Sequence, residues 1–411
     1  MDALFNFIFF YPLLMSFLWV AGALIFHFFR MDSDREPAMP PGEAMVSILI
    51  PCHNEESSIE ETIEGVMRQD YPELEVIAVD DASTDRTGEL LAKLQEKHPR
   101  LRVVTLATNQ GKAVGLTMAA LASRGEYLVC VDADAVLEPD AVRWLVSHFR
   151  WPRVGAVTGN PRVRNRTTML AKIQVAEFSS IIGMIKRTQR VVGKLFTVSG
   201  VVVAFRKAAL LDAGLWSNNM VTEDIDVSWK LQLDKWDVRY EPRAVCWILV
   251  PEKLKGLFRQ RLRWAQGGVE VLLKYGADML SWSNRRMWPL YLEYLVSVAW
   301  CYSFALTTLL WAVHQFVELP SGLAVRSIAP GWTGVIIAGV CLLQLSVGLA
   351  LDRRFDRRLG SSYAWLLWYP AIYWIVNCVV TVLAVPKALF KERTASAVWQ
   401  SPDRGLGRKA A

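Results

Sequence analysis

Residues 3–29 contain no Asp, Glu, Lys or Arg. In hydrocarbon every backbone N–H and C=O must be paired within the segment, which confines such a stretch to a helix. Roughly 20 apolar residues suffice to cross a bilayer. A cleaved secretory leader has a shorter apolar stretch, about 7–15 residues, behind a basic flank. Here the flank holds Asp2 and no Lys or Arg. The reading is an uncleaved transmembrane helix over 1–30. Three further apolar segments, near 290–313, 332–351 and 361–385, predict a C-terminal membrane region over 281–390, followed by a basic tail at 391–411. Only the stretch between them, 31–280, has the mixed polarity of a water-facing domain.

Lys and Arg mark the cytoplasmic side of a membrane protein. Arg30 and Arg35 follow the first helix, Arg285 and Arg286 precede the second, and Arg353, Arg354, Arg357 and Arg358 follow the third. All point to a cytoplasmic middle domain. Lys387, Lys391 and Arg393 lie on the wrong side for a full crossing by the last segment, and Pro370 inside it can break it into a re-entrant hairpin. The sequence leaves that topology open. With 53% apolar residues, 17 Trp and a net charge of +6, the chain suits anionic lipid or a phosphorylated substrate. Its basic residues gather at the membrane flanks and not in an aromatic-studded patch, so no nucleic-acid partner is expected. The cysteines at 52, 130, 246, 301, 341 and 378 form no CxxC pair and read as reduced packing residues.

The middle domain alternates strand and helix. Val46–Ile50 is an apolar run stopped by Pro51. Residues 59, 63, 66 and 67 form a helical face over Ile59–Met67. Leu74–Val79 reads as a strand, Thr87–Lys97 as a helix, Leu101–Leu106 as a strand, Lys112–Ser123 as a helix and Tyr127–Val131 as a strand. This spacing predicts an α/β domain with a mostly parallel sheet and helices on both faces. Ligands of such sheets bind beyond the carboxyl ends of the strands. Each strand here ends in polar groups: Pro51 to Glu55, Asp80-Asp81, Thr108 to Lys112, and Asp132-Ala133-Asp134.

Two carboxylates one residue apart at the end of an apolar run repel each other and resist burial. A divalent cation shared with a substrate diphosphate is the simplest compensation, because Mg²⁺ and Mn²⁺ take oxygen ligands and keep open positions. Asp80 and Asp81 can accept hydrogen bonds from a base or ribose, or Asp81 can cap the next turn. Lys112 offers an ammonium to phosphate or a sugar hydroxyl. His53 reads as a loop histidine. Thr222 is placed to cap a helix whose first turn holds Glu223 and Asp224; these suit the helix dipole or serve as a general base for a hydroxyl. Residues 253–275 form an amphipathic, interfacial pattern, in which Gln260 and Arg263 can meet phosphate while Trp264 anchors at the membrane or faces a sugar. A second interfacial stretch spans 166–195.

Together, Asp80/Asp81, Asp132-Ala133-Asp134, Thr222-Glu223-Asp224 and Gln260-Arg261-Leu262-Arg263-Trp264 resemble the motifs of the processive, inverting family 2 glycosyltransferases, over about residues 45–275. The stretches GAVTGNPRVRNRTT, FTVSGVVVAFRKAAL and TEDIDVSWKLQLDKW extend the resemblance to the bacterial poly-β-1,6-N-acetyl-D-glucosamine synthases of biofilm exopolysaccharide. The resemblance implies a GT-A (Rossmann-like) domain inserted between transmembrane helices, UDP-N-acetylglucosamine as donor, and Mg²⁺ or Mn²⁺. It implies substrate contacts at Pro51, Asn54, Glu55, Asp80, Asp81, Lys112, Asp132, Gln260, Arg263 and Trp264. It also implies metal ligation by Asp134 and Asp132, and catalysis by Asp224 with Glu223. A growing polysaccharide, membrane lipid and a small two-helix membrane subunit with cyclic di-GMP activation would be the partners, with Arg162, Arg164, Arg166 and Arg187 as candidate anion contacts. Localisation would be the bacterial inner membrane. The alternative is another family 2 transferase, either of the hyaluronan, chitin or cellulose type or a non-processive, lipid-linked one.

Overall fold

The computed structural model describes residues 2–31, 36–40, 44–325, 327, 331–369 and 374–392. Arg35, Pro370, Arg393 and nearly all of the expected tail at 391–411 lie outside the described residues. In chain order the helices are α1 (Asp2–Ile25), α2 (Ile59–Met67), α3 (Thr87–Lys97), α4 (Lys112–Ala122), α5 (Ala141–Ser147), α6 (Met169–Glu177), α7 (Met184–Val192), α8 (Lys207–Asp212), α9 (Glu223–Leu233), α10 (Leu254–Tyr275), α11 (Trp288–His314), α12 (Gly331–Asp352) and α13 (Ile375–Leu389). The strands are β1 (Val46–Cys52), β2 (Leu74–Asp80), β3 (Leu101–Thr105), β4 (Tyr127–Val131), β5 (Val136–Leu137), β6 (Val154–Val163), β7 (Val202–Arg206) and β8 (Asp237–Ile248). The described residues group into two compact units.

One unit draws on Asp32–Ala171, Val192–Leu257 and Lys391–Ala411 and holds the sheet, ordered β3-β2-β1-β4-β7-β6-β8-β5. Strands β3, β2, β1 and β4 run parallel, as do β6 and β8, whereas β7 is antiparallel to both its neighbours and β5 to β8. Every residue of β1, β2 and β4 is buried, which is why these strands read as continuous apolar runs rather than alternating ones. β1 continues through Pro51, past its expected end. Its ladder with β4 stops at Leu49↔Cys130, so the missing proline N–H removes no bond on that side. Cys52, Cys130 and Cys246 are buried and free.

Charges inside this unit are paired, as burial requires. At the amino ends of the strands, Glu75 on β2 accepts hydrogen bonds from Ser47 Oγ (2.6 Å), Arg124 N (2.6 Å) and Arg124 Nε (3.0 Å). Glu241 on β8 receives His148 Nε2 at 2.9 Å and Arg243 Nε at 2.7 Å, and that guanidinium lies 3.8 Å from the Trp144 ring centre. Burial alone would raise the Glu241 carboxyl, but these hydrogen bonds and charges outweigh it and hold the pKa at about 2. A depressed carboxyl stabilises the fold above its unfolded pKa and loses that stability as pH falls through the folded value. Acidification from pH 4.5 to 2 is therefore expected to remove about 3 kcal/mol through this group. Thermal unfolding of Glu241→Gln should show a visibly flatter pH dependence over that window; equal slopes would contradict the assignment.

The second unit draws on Met1–Met31, Lys172–Val191 and Phe258–Phe390. Three helices in it, spanning Asp2–Arg30, Trp282–His314 and Thr333–Asp352, are long and apolar enough to cross a membrane. Of the segment read at 361–385, the described residues form part of a 3₁₀ stretch, Arg357–Trp368, and the helix α13; residues 370–373 lie outside the described residues. The stretches expected to be interfacial, near 166–195 and 253–275, contribute Lys172–Val191 and Phe258–Tyr275 to this unit and not to the sheet unit. The first packs closely on two of these long apolar helices, α1 and α12. Thr188 Oγ1 donates to Trp19 O at 2.8 Å, and Ser180 Oγ donates to Leu345 O at 2.8 Å.

Candidate active site

At the carboxyl ends of β1, β2 and β3 the loops lock one another. His53 Nδ1 lies 2.8 Å from Asp81 O, and its Nε2 lies 3.2 Å from Asn109 Nδ2, so this residue ties loops together and is more than a bystander. Asn54 Oδ1 accepts from Thr84 N at 2.8 Å. Glu55, 1% exposed, accepts from Ser58 Oγ and sends its own N–H to Thr87 Oγ1 at 2.7 Å. The Asp81 carboxylate accepts from Gln110 N (2.7 Å) and Gly111 N (2.8 Å) at the start of α4, where the helix dipole favours an anion. Asp81 is fully buried. It therefore anchors the 109–111 loop, while Asp80, also buried, accepts from Ser83 N at 3.1 Å through Oδ1.

β4 stops at Val131 and the chain turns. Ala135 N donates to Asp132 O at 3.0 Å, while Thr62 Oγ1 on α2 donates to Ala133 O at 2.9 Å. In this turn Asp134 is buried and Asp132 half-buried. The buried Cys246 thiol on β8 is pushed up first by burial and then by both Asp132 and Asp134. Thr62 carries no motif, and only the tertiary contact reveals it.

Lys112, the first residue of α4, is the hub of the acidic rim. Its Nζ lies 2.6 Å from Asp132 Oδ1 and 3.3 Å from Glu223 Oε1. Asp224 acts on it as well. Burial would lower the ammonium pKa, but Asp132, Glu223 and Asp224 together raise it, so Lys112 stays charged. Asp224 Oδ2 receives Gly200 N at 3.3 Å. A Cβ at Gly200 would stand 3.3 Å from both Asp224 Oδ2 and Lys112 Nζ, so the absence of a side chain keeps that corner open. Nothing in the sequence singled out Gly200. Thr222 does occupy the N-cap of α9, but its side chain makes no capping hydrogen bond, contrary to expectation. Glu223 is 8% exposed, whereas Asp224 is half-buried.

Among the described residues no three His, Cys, Asp or Glu side chains form a ready metal cage. The donor set still fits a hard cation. Asp132 and Asp134 supply carboxylate oxygens from one turn, and Mg²⁺ or Mn²⁺ completes its shell with water and substrate phosphate oxygens.

Gln260, Arg263 and Trp264 lie on α10 in the other unit. Arg263 is exposed, and Gln260 and Trp264 are half-buried. The arginines considered for a cyclic di-GMP contact are engaged elsewhere. Arg162 is 1% exposed, Arg187 is buried on Asp352, Arg164 pairs with Glu61 at 2.8 Å, and Arg166 donates to Val163 O at 3.0 Å.

A profile of the glycosyltransferase-like family 2 matches residues 41–267, the sheet and its acidic rim included. The chain is a family 2 glycosyltransferase. It is 37% identical to a poly-beta-1,6-N-acetyl-D-glucosamine synthase of Staphylococcus epidermidis, over 98% of both chains. It is 38% identical to the enzyme of that name from Staphylococcus aureus strain COL, again over 98% of both. Among solved structures, a mannosyltransferase from Pyrobaculum calidifontis in complex with GDP-Man and Mn²⁺ superposes with a TM-score of 0.64 at 22% identity, covering 95% of this chain and 97% of the other. The transferase domain therefore has the GT-A fold, flanked in sequence by apolar helices.

Proposed function

We propose that this transferase polymerises N-acetylglucosamine from UDP-N-acetylglucosamine into a β-1,6-linked exopolysaccharide of the biofilm matrix. The observation that carries the reading is similarity at 37–38% identity over 98% of the chain to synthases of that polymer. The rim chemistry agrees with it. Asp224 takes the proton of the acceptor 6-hydroxyl as that oxygen bonds to the anomeric carbon. The bond from that carbon to the donor diphosphate breaks on the opposite side, and its electron pair leaves with UDP, which inverts the centre. Asp132 and Asp134 would hold Mg²⁺ or Mn²⁺, which would supply Lewis-acid stabilisation of the departing diphosphate. Lys112 holds Asp132 and Glu223 in place and offers positive charge to the same phosphates. Asp80 meets the nucleoside, Gln260 and Arg263 meet the diphosphate, and Trp264 stacks on the acceptor end.

The same reading sets the catalytic domain on the cytoplasmic face of the bacterial inner membrane, with the polymer crossing as it grows and a small two-helix membrane subunit assisting. Cyclic di-GMP activation at the surface shared with that subunit belongs to the same reading. The test is incubation of the purified full chain with Mg²⁺ or Mn²⁺ and, one at a time, UDP-N-acetylglucosamine, UDP-glucose and UDP-glucuronate, with and without the small subunit. The expected product is long, forms only from UDP-N-acetylglucosamine, and is cut by a β-1,6-N-acetylglucosaminidase. A monosaccharide-lipid, or a polymer that resists that hydrolase, would sink the proposal.

A further inference from the structure

Arg261 sits inside the Gln260–Trp264 motif, yet neither the phosphate nor the sugar contact was expected of it. Its guanidinium is 4% exposed and makes three contacts within its own unit. Nη2 lies 2.5 Å from Glu177 Oε2 on α6, itself 6% exposed. Nη1 donates to Gln260 Oε1 at 2.9 Å. The guanidinium carbon lies 4.1 Å from the centre of the Trp264 ring, one helical turn along α10. A guanidinium only donates hydrogen bonds, so the Gln260 amide must turn its oxygen toward Arg261 and its NH₂ away. A cation stacked on one indole face leaves only the other face for a ligand.

We propose that Arg261, anchored by Glu177, is a positioning residue that orients the Gln260 amide with its donors outward and reserves a single face of Trp264. An outward NH₂ matches an anionic diphosphate, whereas a flipped amide would present an oxygen to it. The planar fork matters as much as the charge, because lysine cannot bond Glu177 and Gln260 while stacking on the ring. This inference rests on the substrate roles given above to Gln260 and Trp264.

The experiment is a double-mutant cycle on the purified full chain, with the KM for UDP-N-acetylglucosamine, kcat and the unfolding midpoint measured for each variant. Arg261→Lys keeps a cation for Glu177 and is expected to unfold at nearly the wild-type temperature. Its kcat/KM should fall about tenfold, chiefly through a higher KM. Gln260→Ala should lose a similar factor, and the double variant should be no worse than about twofold below the weaker single. Multiplicative losses in the double variant, or wild-type kinetics in Arg261→Lys, overturn the inference. If Gln260→Ala alone is fully active, the role of Gln260 fails and this inference with it, whereas an impaired Gln260→Ala beside an unimpaired Arg261→Lys condemns the positioning role only. Should Arg261→Lys fail to accumulate, the paired Glu177→Met/Arg261→Met variant replaces the ion pair with apolar packing. It is expected to fold and to show the same rise in KM; wild-type KM in that variant overturns the inference.

Discussion

Asp224→Asn is expected to cut polymer synthesis by about 10³-fold while UDP binding changes by no more than about twofold. Asparagine matches aspartate in shape and can still accept from Gly200 N through its amide oxygen, so the turn at 198–202 and the start of α9 should persist. What disappears is an acceptor basic enough to take the hydroxyl proton. Neighbouring Glu223 does not substitute for it, because it is 8% exposed and already pairs with Lys112 at 3.3 Å. Release of UDP in the presence of acceptor, followed beside isothermal titration of UDP, separates the two effects. Normal turnover by the variant would remove Asp224 from the chemistry; equal losses of turnover and UDP affinity would assign it to binding.

Arg187→Met is expected to destabilise the second unit by about 3–5 kcal/mol. Arg187 and Asp352 are both fully buried and 2.5 Å apart, joining α7 to the end of α12. Gly183 makes room for them, since a Cβ there would stand 3.1 Å from Arg187 Nη1 and 3.4 Å from Asp352 Oδ2. Removing one partner leaves the other charge buried and unpaired, which is far worse than replacing both. The double variant Arg187→Met/Asp352→Leu should therefore recover most of the loss. Unfolding midpoints of the detergent-solubilised protein measure both effects. A single variant as stable as wild type, or a double variant worse than the single, would contradict the pairing.

The parallel half of the sheet was readable along the chain. Buried parallel strands must be apolar on both faces, so Leu74–Val79 and Tyr127–Val131 stand out, and the helices between them show one apolar face each. β6 and β8 were not readable. β6 carries two glycines, Asn160, Pro161 and Arg162, and β8 carries Glu241, Pro242 and Arg243. Each of these residues signals a loop in isolation. They are tolerated in strands because partners distant in sequence satisfy them: Asn160 Nδ2 reaches Pro242 O at 2.9 Å, and Glu241 gathers His148 and Arg243.

The site divides in the same way. Local chemistry marks Asp132, Asp134, Glu223, Asp224, Lys112 and the Gln260–Trp264 run, because side chains that can hold phosphate, metal or a proton are few in kind and here stand at strand and helix ends. Which of the acids remain available is a tertiary matter. Asp80, Asp81 and Glu55 look like Asp224 in the sequence, yet these three are buried and bonded to neighbouring loops, whereas Asp224 is half-buried. Arg162 and Arg187 look like surface cations and are buried. The order of residues thus determined that the chain would carry membrane-length helices on either side in sequence of an α/β domain with an acidic strand-end rim, since polarity and periodicity are local properties. Only the folded chain decided which charges are consumed in holding it together and which are left to meet a ligand, since pairing and burial depend on residues tens to hundreds of positions apart.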